Sequence, residues 1–283
     1  LSPAEVRSRL LLSAASGPVP GDFDGYPEPI LNVASLGVGS MTRFQSLHSG
    51  DRITIVVRDL IPATRAIFRL DGKYIGGATI GADGKASRNF TIGDLPYGVH
   101  EFKITNNRKT LTDAFLIRPT IAISPGRALV GDHIAVALRG YSANTSILVT
   151  LDTGSGVRSL VRVTADGNGM ATASVQVPSA AGGARRLTAI DAAGVSTSVQ
   201  LSIGPSLSAQ SPVAAGDWSA VQLRGFASGE VVDLHWGSAT GTILRSKTVS
   251  RSGSGNLNIP IPTNTTVGGH SLWAIGSSGN RVR

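Results

Sequence analysis

The sequence predicts an all-β chain: three tandem β-sandwiches behind a short helical or extended leader. Three observations carry that prediction. Among 283 residues there are 35 Gly and 14 Pro but only 5% aromatics, a balance that favours short strands and tight turns over long helices. Apolar and polar residues alternate with a period of two, the mark of half-buried strands. One 21-residue segment also recurs three times without a gap, at Gly50 to Leu70, Gly131 to Leu151 and Gly216 to Trp236. At ~100–150 residues per domain the length holds two or three domains. The repeat decides for three, at 31–118, 119–203 and 204–283, with 1–30 as the leader.

The leader opens on Ser2-Pro3-Ala4-Glu5, a capping box with Pro at the first helical position. The helix it starts is expected to reach about Ser16, where Gly17-Pro18 ends it, with Val6, Leu10 and Leu11 on one face. Residues 18–29 read as an extended connector. Within it, Asp22-Phe23-Asp24-Gly25 is similar to the start of a calcium loop, but no downstream bidentate Glu follows, so a plain turn is expected.

Each repeat then begins with Gly-Asp, where Asp51, Asp132 and Asp217 are placed to accept nearby backbone N–H bonds at a turn. The first strand alternates through Ile53, Ile55 and Val57, through Ile134, Val136 and Leu138, and through Val221 and Leu223. It ends on the outward-facing Arg58, Arg139 and Arg224. A second strand places Ala66, Phe68 and Leu70 on the same core, as it does Ile147, Val149 and Leu151, and Val232, Leu234 and Trp236. Asp83-Gly84, Asp166-Gly167 and Ser252-Gly253 are expected to supply the positive φ of a hairpin turn. Beyond those turns Phe90 with Ile92, Ala173 with Val175, and Ile259 with Ile261 face inward. The next strand starts after Gly98, Gly183 and Gly268 with Phe102, Leu187 and Leu272 pointing in. Six or seven strands per ~85 residues is sandwich spacing. In the second repeat Val195 to Ile203 closes the sandwich. In the third, eight residues follow Ile275, which predicts an incomplete closing strand and an open edge. That edge is expected either to accept a segment of a neighbouring chain or to be completed by sequence beyond Arg283. Leu10, Leu11 and Leu12 are the candidate strand donor.

Chemistry is scarce. The net charge of +8 arises mostly from scattered Arg, since Lys occurs at Lys73, Lys85, Lys103, Lys109 and Lys247, and no basic stripe interleaved with aromatics points to nucleic acid. No apolar run approaches the ~20 residues of a membrane helix. The absence of Cys removes disulfides, thiolate metal sites and cysteine nucleophiles. No nucleophile elbow, phosphate loop, zinc-binding His pair or dinucleotide fingerprint occurs, so no catalytic residue, metal or cofactor is expected. His100 and His270 share a repeat position, occupied by Arg185 in the second copy, which reads as an outward-facing strand site. Trp236 reads as core. Trp218 and Trp273 are the candidate carbohydrate contacts if exposed together, with interdomain packing as the alternative.

Ser124-Pro125 and Ser211-Pro212 ahead of Gly-Asp, the Arg-Gly-Tyr (139–141) and Arg-Gly-Phe (224–226) strand ends, and Gly-x-His at Gly98 to His100 and Gly268 to His270 give residues 31–283 a resemblance. The chain resembles bacterial tandem immunoglobulin-like domains of the IPT/TIG group. The first unit departs from the pattern, with Arg58-Asp59-Leu60 and no Ser-Pro. The resemblance implies a non-enzymatic structural or adhesive stalk, extracellular or at the cell surface, whose partners are other copies or segments of a surface protein, or glycans. Two alternatives stand beside it: a filament or lattice subunit assembled by strand addition, and a carbohydrate-binding accessory region of a secreted enzyme. The linkers Arg118-Pro119-Thr120 and Ile203-Gly204-Pro205 are too short for free tumbling, so the stalk is expected to be semi-rigid.

Overall fold

Residues 14–16, 29–31, 39–107 and 109–283 are described by the structure, a computed structural model. Every regular element in them is a strand. In the leader, β1 (Ala14–Ser16) pairs antiparallel with β2 (Pro29–Leu31), Ala14 opposite Leu31 and Ser16 opposite Pro29. The expected helix therefore does not extend to Ser16. A capping box is a local signal, an isolated helix of that length is marginal in water, and the amides of Ala14–Ser16 take part in a ladder instead. The calcium-loop look-alike at 22–25 and the donor candidates Leu10, Leu11 and Leu12 lie outside the described residues.

The first sandwich contains β3 (Ser40–Met41), β4 (Ser46–Leu47), β5 (Arg52–Arg58), β6 (Arg65–Leu70), β7 (Lys73–Thr79), β8 (Ala86–Thr91), β9 (Gly98–Asn106) and β10 (Lys109–Ile117). They form a three-stranded sheet, β3-β5-β8, and a five-stranded sheet, β4-β10-β9-β6-β7. The second sandwich repeats the plan with β11 (Thr120–Ser124), β12 (Arg127–Leu129), β13 (His133–Arg139), β14 (Ser146–Asp152), β15 (Val157–Thr164), β16 (Ala171–Gln176), β17 (Gly183–Asp191) and β18 (Ser196–Gly204). Its sheets are β11-β13-β16 and β12-β18-β17-β14-β15. The third has β19 (Ser206–Ala209), β20 (Trp218–Arg224), β21 (Val231–Trp236), β22 (Ile243–Thr248), β23 (Gly255–Pro260), β24 (Leu272–Gly276) and β25 (Arg281–Val282). Its sheets are β19-β20-β23 and β22-β21-β24-β25. By compactness the chain divides into one unit of residues 1–93 with 98–118 and a second of 94–97 with 119–283.

The alternation seen in the sequence is the alternation of burial. Along β5 and β13 every second residue is buried, and Val57, Leu138 and Leu223 at the equivalent position are 0%, 1% and 0% exposed. Arg58 and Arg139 are exposed and Arg224 is half-buried. One continuous apolar cluster, including Ile134, Leu138, Tyr141, Ile147 and Leu187, fills the second sandwich, and a smaller one around Val221, Leu223, Phe226 and Leu234 fills the third.

Two details differ from the sequence reading. In the second repeat the left-handed turn residue is Gly169 (φ +73°) rather than Gly167, because Asp166 opens the turn, as Gly81 and Ser250 do in the others, and accepts from the N–H groups of Asn168 and Met170 at 2.8 and 2.9 Å. The equivalents Gly84 and Gly253 have φ +74° and +65° as expected. Trp236 is half-buried, packed on the third core with one flank open.

Candidate functional site

The polar residues that recur in register are employed in holding loops. Asp51 accepts from the N–H of His48, and Asp132 from that of Leu129, both at 2.8 Å. Two buried carboxylates do more, and the sequence reading missed both. Asp191, at the end of β17, accepts from the N–H groups of Ser142 (3.0 Å), Ala193 (2.9 Å) and Val195 (2.9 Å). Glu230, just ahead of β21, accepts from the N–H groups of Ala227 and Ser278, both at 2.8 Å, and from Asn280 Nδ2 at 2.9 Å. Ala227 and Ser278 are the repeat equivalents of Ser142 and Ala193. Burial pushes the Asp191 carboxyl up, but the hydrogen bonds from Ser142, Val195 and Ala193 outweigh it and hold the group below the ordinary value of 3.8.

A second recurrent arrangement lies at the sandwich ends within the second unit. The Gly182 N–H donates to the Phe226 carbonyl at 2.7 Å, joining the end of the second sandwich to the first turn of the third. The equivalent residues one repeat earlier are Tyr97 and Tyr141, where the Tyr97 N–H donates to the Tyr141 carbonyl at 2.8 Å. Glycine is required around each bond. A Cβ on Gly253 would collide with the Phe226 carbonyl and stand 2.9 Å from Ala181 Cα, and one on Gly169 would collide with the Tyr141 carbonyl and stand 2.8 Å from Pro96 Cα. Likewise Gly182 closes on the Gly225 carbonyl and Gly225 on the Gly204 carbonyl, so backbone rests on backbone. Arg185 fixes the donor loop by giving Nε to the Ala181 carbonyl and Nη2 to that of Gly182, each at 2.8 Å. Arg139 pairs with Asp94 at 2.6 Å. In the third repeat the donor position is Val267, fully exposed at 107%.

His100 does not face outward, whereas His270 at the equivalent position is exposed, as expected. They share inward parity with Phe102 and Leu272; His100 stacks near Phe115 and meets Asp71 at 2.7 Å, and His270 stacks on Trp236 with centroids 5.3 Å apart. His270 also bonds the Thr266 carbonyl through Nε2 at 2.8 Å, as Arg185 holds its own loop. Inward parity at the mouth of a sandwich leaves a polar ring partly wet, which a sequence pattern reads as outside.

The carbohydrate candidates are not brought together. Trp218 is 57% exposed at the start of β20, beneath the Arg245 guanidinium at 5.5 Å. Trp273 lies on β24 beside Arg283, 5.9 Å from its ring, with its neighbour Ala274 buried. The two strands belong to different sheets of one sandwich, and each Trp points away from the core, so they form no common platform. Among the described residues no group of three His, Asp or Glu is arranged to hold a metal ion.

No family model matches the sequence, and no curated protein matches it. Among solved structures the chain is similar to a tetra-tandem repeat from the extending region of a large adhesion protein, with 17% identity, 85% of this chain and 72% of that one covered, and a TM-score of 0.31. It is similar also to invasin, a bacterial integrin-binding protein, at 11% identity over 84% of this chain and 56% of that one with a TM-score of 0.30. The adhesin InvE of Yersinia pseudotuberculosis matches at 14% identity, 59% of each chain and a TM-score of 0.29.

Proposed function

We propose that the chain is a non-enzymatic, semi-rigid stalk segment of an extracellular bacterial surface protein, serving a structural or adhesive role with other copies or segments of that protein as partners. The observation that carries this reading is the backbone clasp between the second and third sandwiches. A linker as short as Ile203-Gly204-Pro205 restrains two domains already. A bond from Gly182 to Phe226, walled by glycines that leave no room for a Cβ, removes the remaining hinge freedom. The non-enzymatic part is supported by how four of the acids are used: Asp51, Asp132, Asp191 and Glu230 each accept backbone N–H groups, a scaffolding employment. Placement at a bacterial surface follows the resemblance of the repeats to tandem immunoglobulin-like modules.

Spin labels at exposed sites of the second and third sandwiches test the reading through their distance distribution. The wild-type distribution is expected to be narrow. Gly182→Pro deletes the donor N–H and should broaden it while each sandwich keeps its own strand signature. A wild-type distribution as broad as that of the variant would sink the semi-rigid stalk.

A further inference from the structure

The outer face of the sheet β19-β20-β23 differs from its counterpart in the second sandwich in the side chains it presents. Strand parity turns Trp218, Ala220, Gln222 and Arg224 of β20 away from the core, with Asn256 and Asn258 of β23 beside them. Two rows cross the sheet. Gln222 pairs with Ser208 on one side and Asn256 on the other, and Ala220 pairs with Asn258 while its carbonyl accepts from the Gln210 N–H at 2.8 Å. In the second sandwich the same two rows are Ala122, Ala137, Thr172 and Ser124, Ala135, Ser174. Short side chains there give way to four amides, at Gln210, Gln222, Asn256 and Asn258, and Trp218 stands where the second repeat has His133.

The two rows line a shallow depression of about 440 Å³. With only a methyl group at Ala220, the floor between Gln210 and Asn258 stays low. Gln210 and Asn258 are exposed and accept hydrogen bonds through their backbone carbonyls, from Ser219 Oγ at 3.0 Å and from Arg245 Nη1 at 2.8 Å, which leaves their side-chain amides toward solvent. The strands β19, β20 and β23 contain no Asp, Glu or Lys. Arg224 lies at the end of β20 away from Trp218, and Arg245 reaches in from β22 over the Trp218 ring, which stays 57% exposed.

We infer that this face is a binding site for a neutral oligosaccharide of pyranose rings with equatorial hydroxyls, one ring stacked on Trp218 and the chain running along β20 across the amides. Each amide offers two N–H donors and an acceptor oxygen, which suits hydroxyls that both donate and accept. The exposed indole supplies the apolar area on which the C–H face of a sugar rests. From Trp218 to Gln222 the strand rises about 13 Å at ~3.3 Å per residue, room for an oligosaccharide rather than a single sugar. An acidic ligand would require cations where the amides stand, and a protein partner would require an apolar centre, whereas the aliphatic groups turned outward on β20 and β23 are Ala220 and Pro260. The inference stands apart from the stalk reading, because this face and the clasp share no residue, and the failure of either leaves the other standing.

The probe is cellohexaose, titrated into the full chain while residue-resolved backbone amide shifts are followed. Saturable one-site binding is expected, with shifts concentrated at residues 218–222 and 256–258. Trp218→Ala should weaken binding at least tenfold, and the double change Asn256→Ala with Asn258→Ala at least fivefold, while the shifts of the third core stay native. Gln222→Ala, which installs the residue type of Ala137, should weaken it by a smaller factor. No saturable binding at millimolar cellohexaose, unchanged affinity in Trp218→Ala, equal affinity for the acidic hexagalacturonate, or shifts centred on another face would each overturn the inference.

Discussion

The second and third sandwiches solve the same problem from opposite strands. In both, two loops at one end expose backbone N–H groups that no ladder satisfies, and in both a buried carboxylate collects them. In the second the acid is Asp191, at the end of β17 and paired with Ile147, while Thr145 lies just ahead of β14. In the third the acid is Glu230, at the position of Thr145, and Gly276 stands in place of Asp191. A Cβ on Gly276 would collide with the Glu230 carboxylate, so the two solutions exclude each other. The first sandwich puts Asn106 and Thr64 at the same two positions, joined at 2.6 Å. What the fold requires is a polar group at a point in space, and the longer Glu side chain reaches that point from the far strand.

The largest effect separates the two cores. Leu138→Ala removes a fully buried side chain from a closed core and should cost ~2–5 kcal/mol in urea unfolding. Leu223→Ala, equally buried, sits in a smaller apolar cluster, so its cost should fall at the lower end of that range. All three Trp residues lie in the third sandwich, so Trp fluorescence reports Leu223→Ala while hydrogen exchange of β13 reports Leu138→Ala. Equal costs would mean that the smaller cluster does not soften the third core.

Next in size is the carboxylate exchange. Asp191→Ala strands three N–H groups and should destabilise the second sandwich by about 2–4 kcal/mol. The double change Thr145→Glu with Asp191→Gly transplants the third sandwich's arrangement and should recover at least half of that loss. If the double variant is no better than Asp191→Ala, the two sites are not interchangeable and the equivalence fails.

These features differ in how far a sequence exposes them. The strands of all three repeats were legible because burial follows residue parity, and parity is written in the chain at Ile53, Ile55 and Val57 as plainly as at Ile134, Val136 and Leu138. The carboxylate exchange was not, because Asp191 and Glu230 occupy different repeat positions and meet the same loops only in three dimensions. The one available signal was a buried acid in the second and third repeats, with a small or hydroxyl residue at the other of the two positions. His100 was misplaced for the converse reason: polarity was allowed to outweigh its inward parity. The clasp was half legible. Arg-Gly-Tyr and Arg-Gly-Phe stood out as motifs, but their purpose, a carbonyl turned toward Tyr97 or Gly182, depends on backbone geometry.

A smaller effect comes from pH. Asp191 is held below its ordinary value of 3.8, so its folded form binds a proton less readily than its unfolded form. Its contribution is complete above 3.8, declines as pH falls below that value, and is lost once pH has passed through the folded value. Acid unfolding of the second sandwich should therefore steepen below pH 3.8 in the wild type, whereas Asp191→Asn should show a lower but flatter stability there. Matching pH slopes for the two proteins would count against a charged, hydrogen-bonded Asp191.

The smallest expected effect belongs to the exposed face of the third sandwich. Trp218 is more than half exposed, and its identified partner is the Arg245 guanidinium, 5.5 Å from the ring. Exposed cation–π pairs contribute about 0.5–1 kcal/mol, since water competes for the guanidinium. Trp218→Ala should thus lower the third sandwich's unfolding midpoint slightly. Trp236→Leu acts on the opposite principle: it restores the residue type of Leu151 at a half-buried position and removes the ring that His270 stacks on. It should lower the unfolding midpoint more than Trp218→Ala does, because its ring packs on the third core. Urea unfolding of both variants checks this, and an equal loss in the two would count against the core role of Trp236.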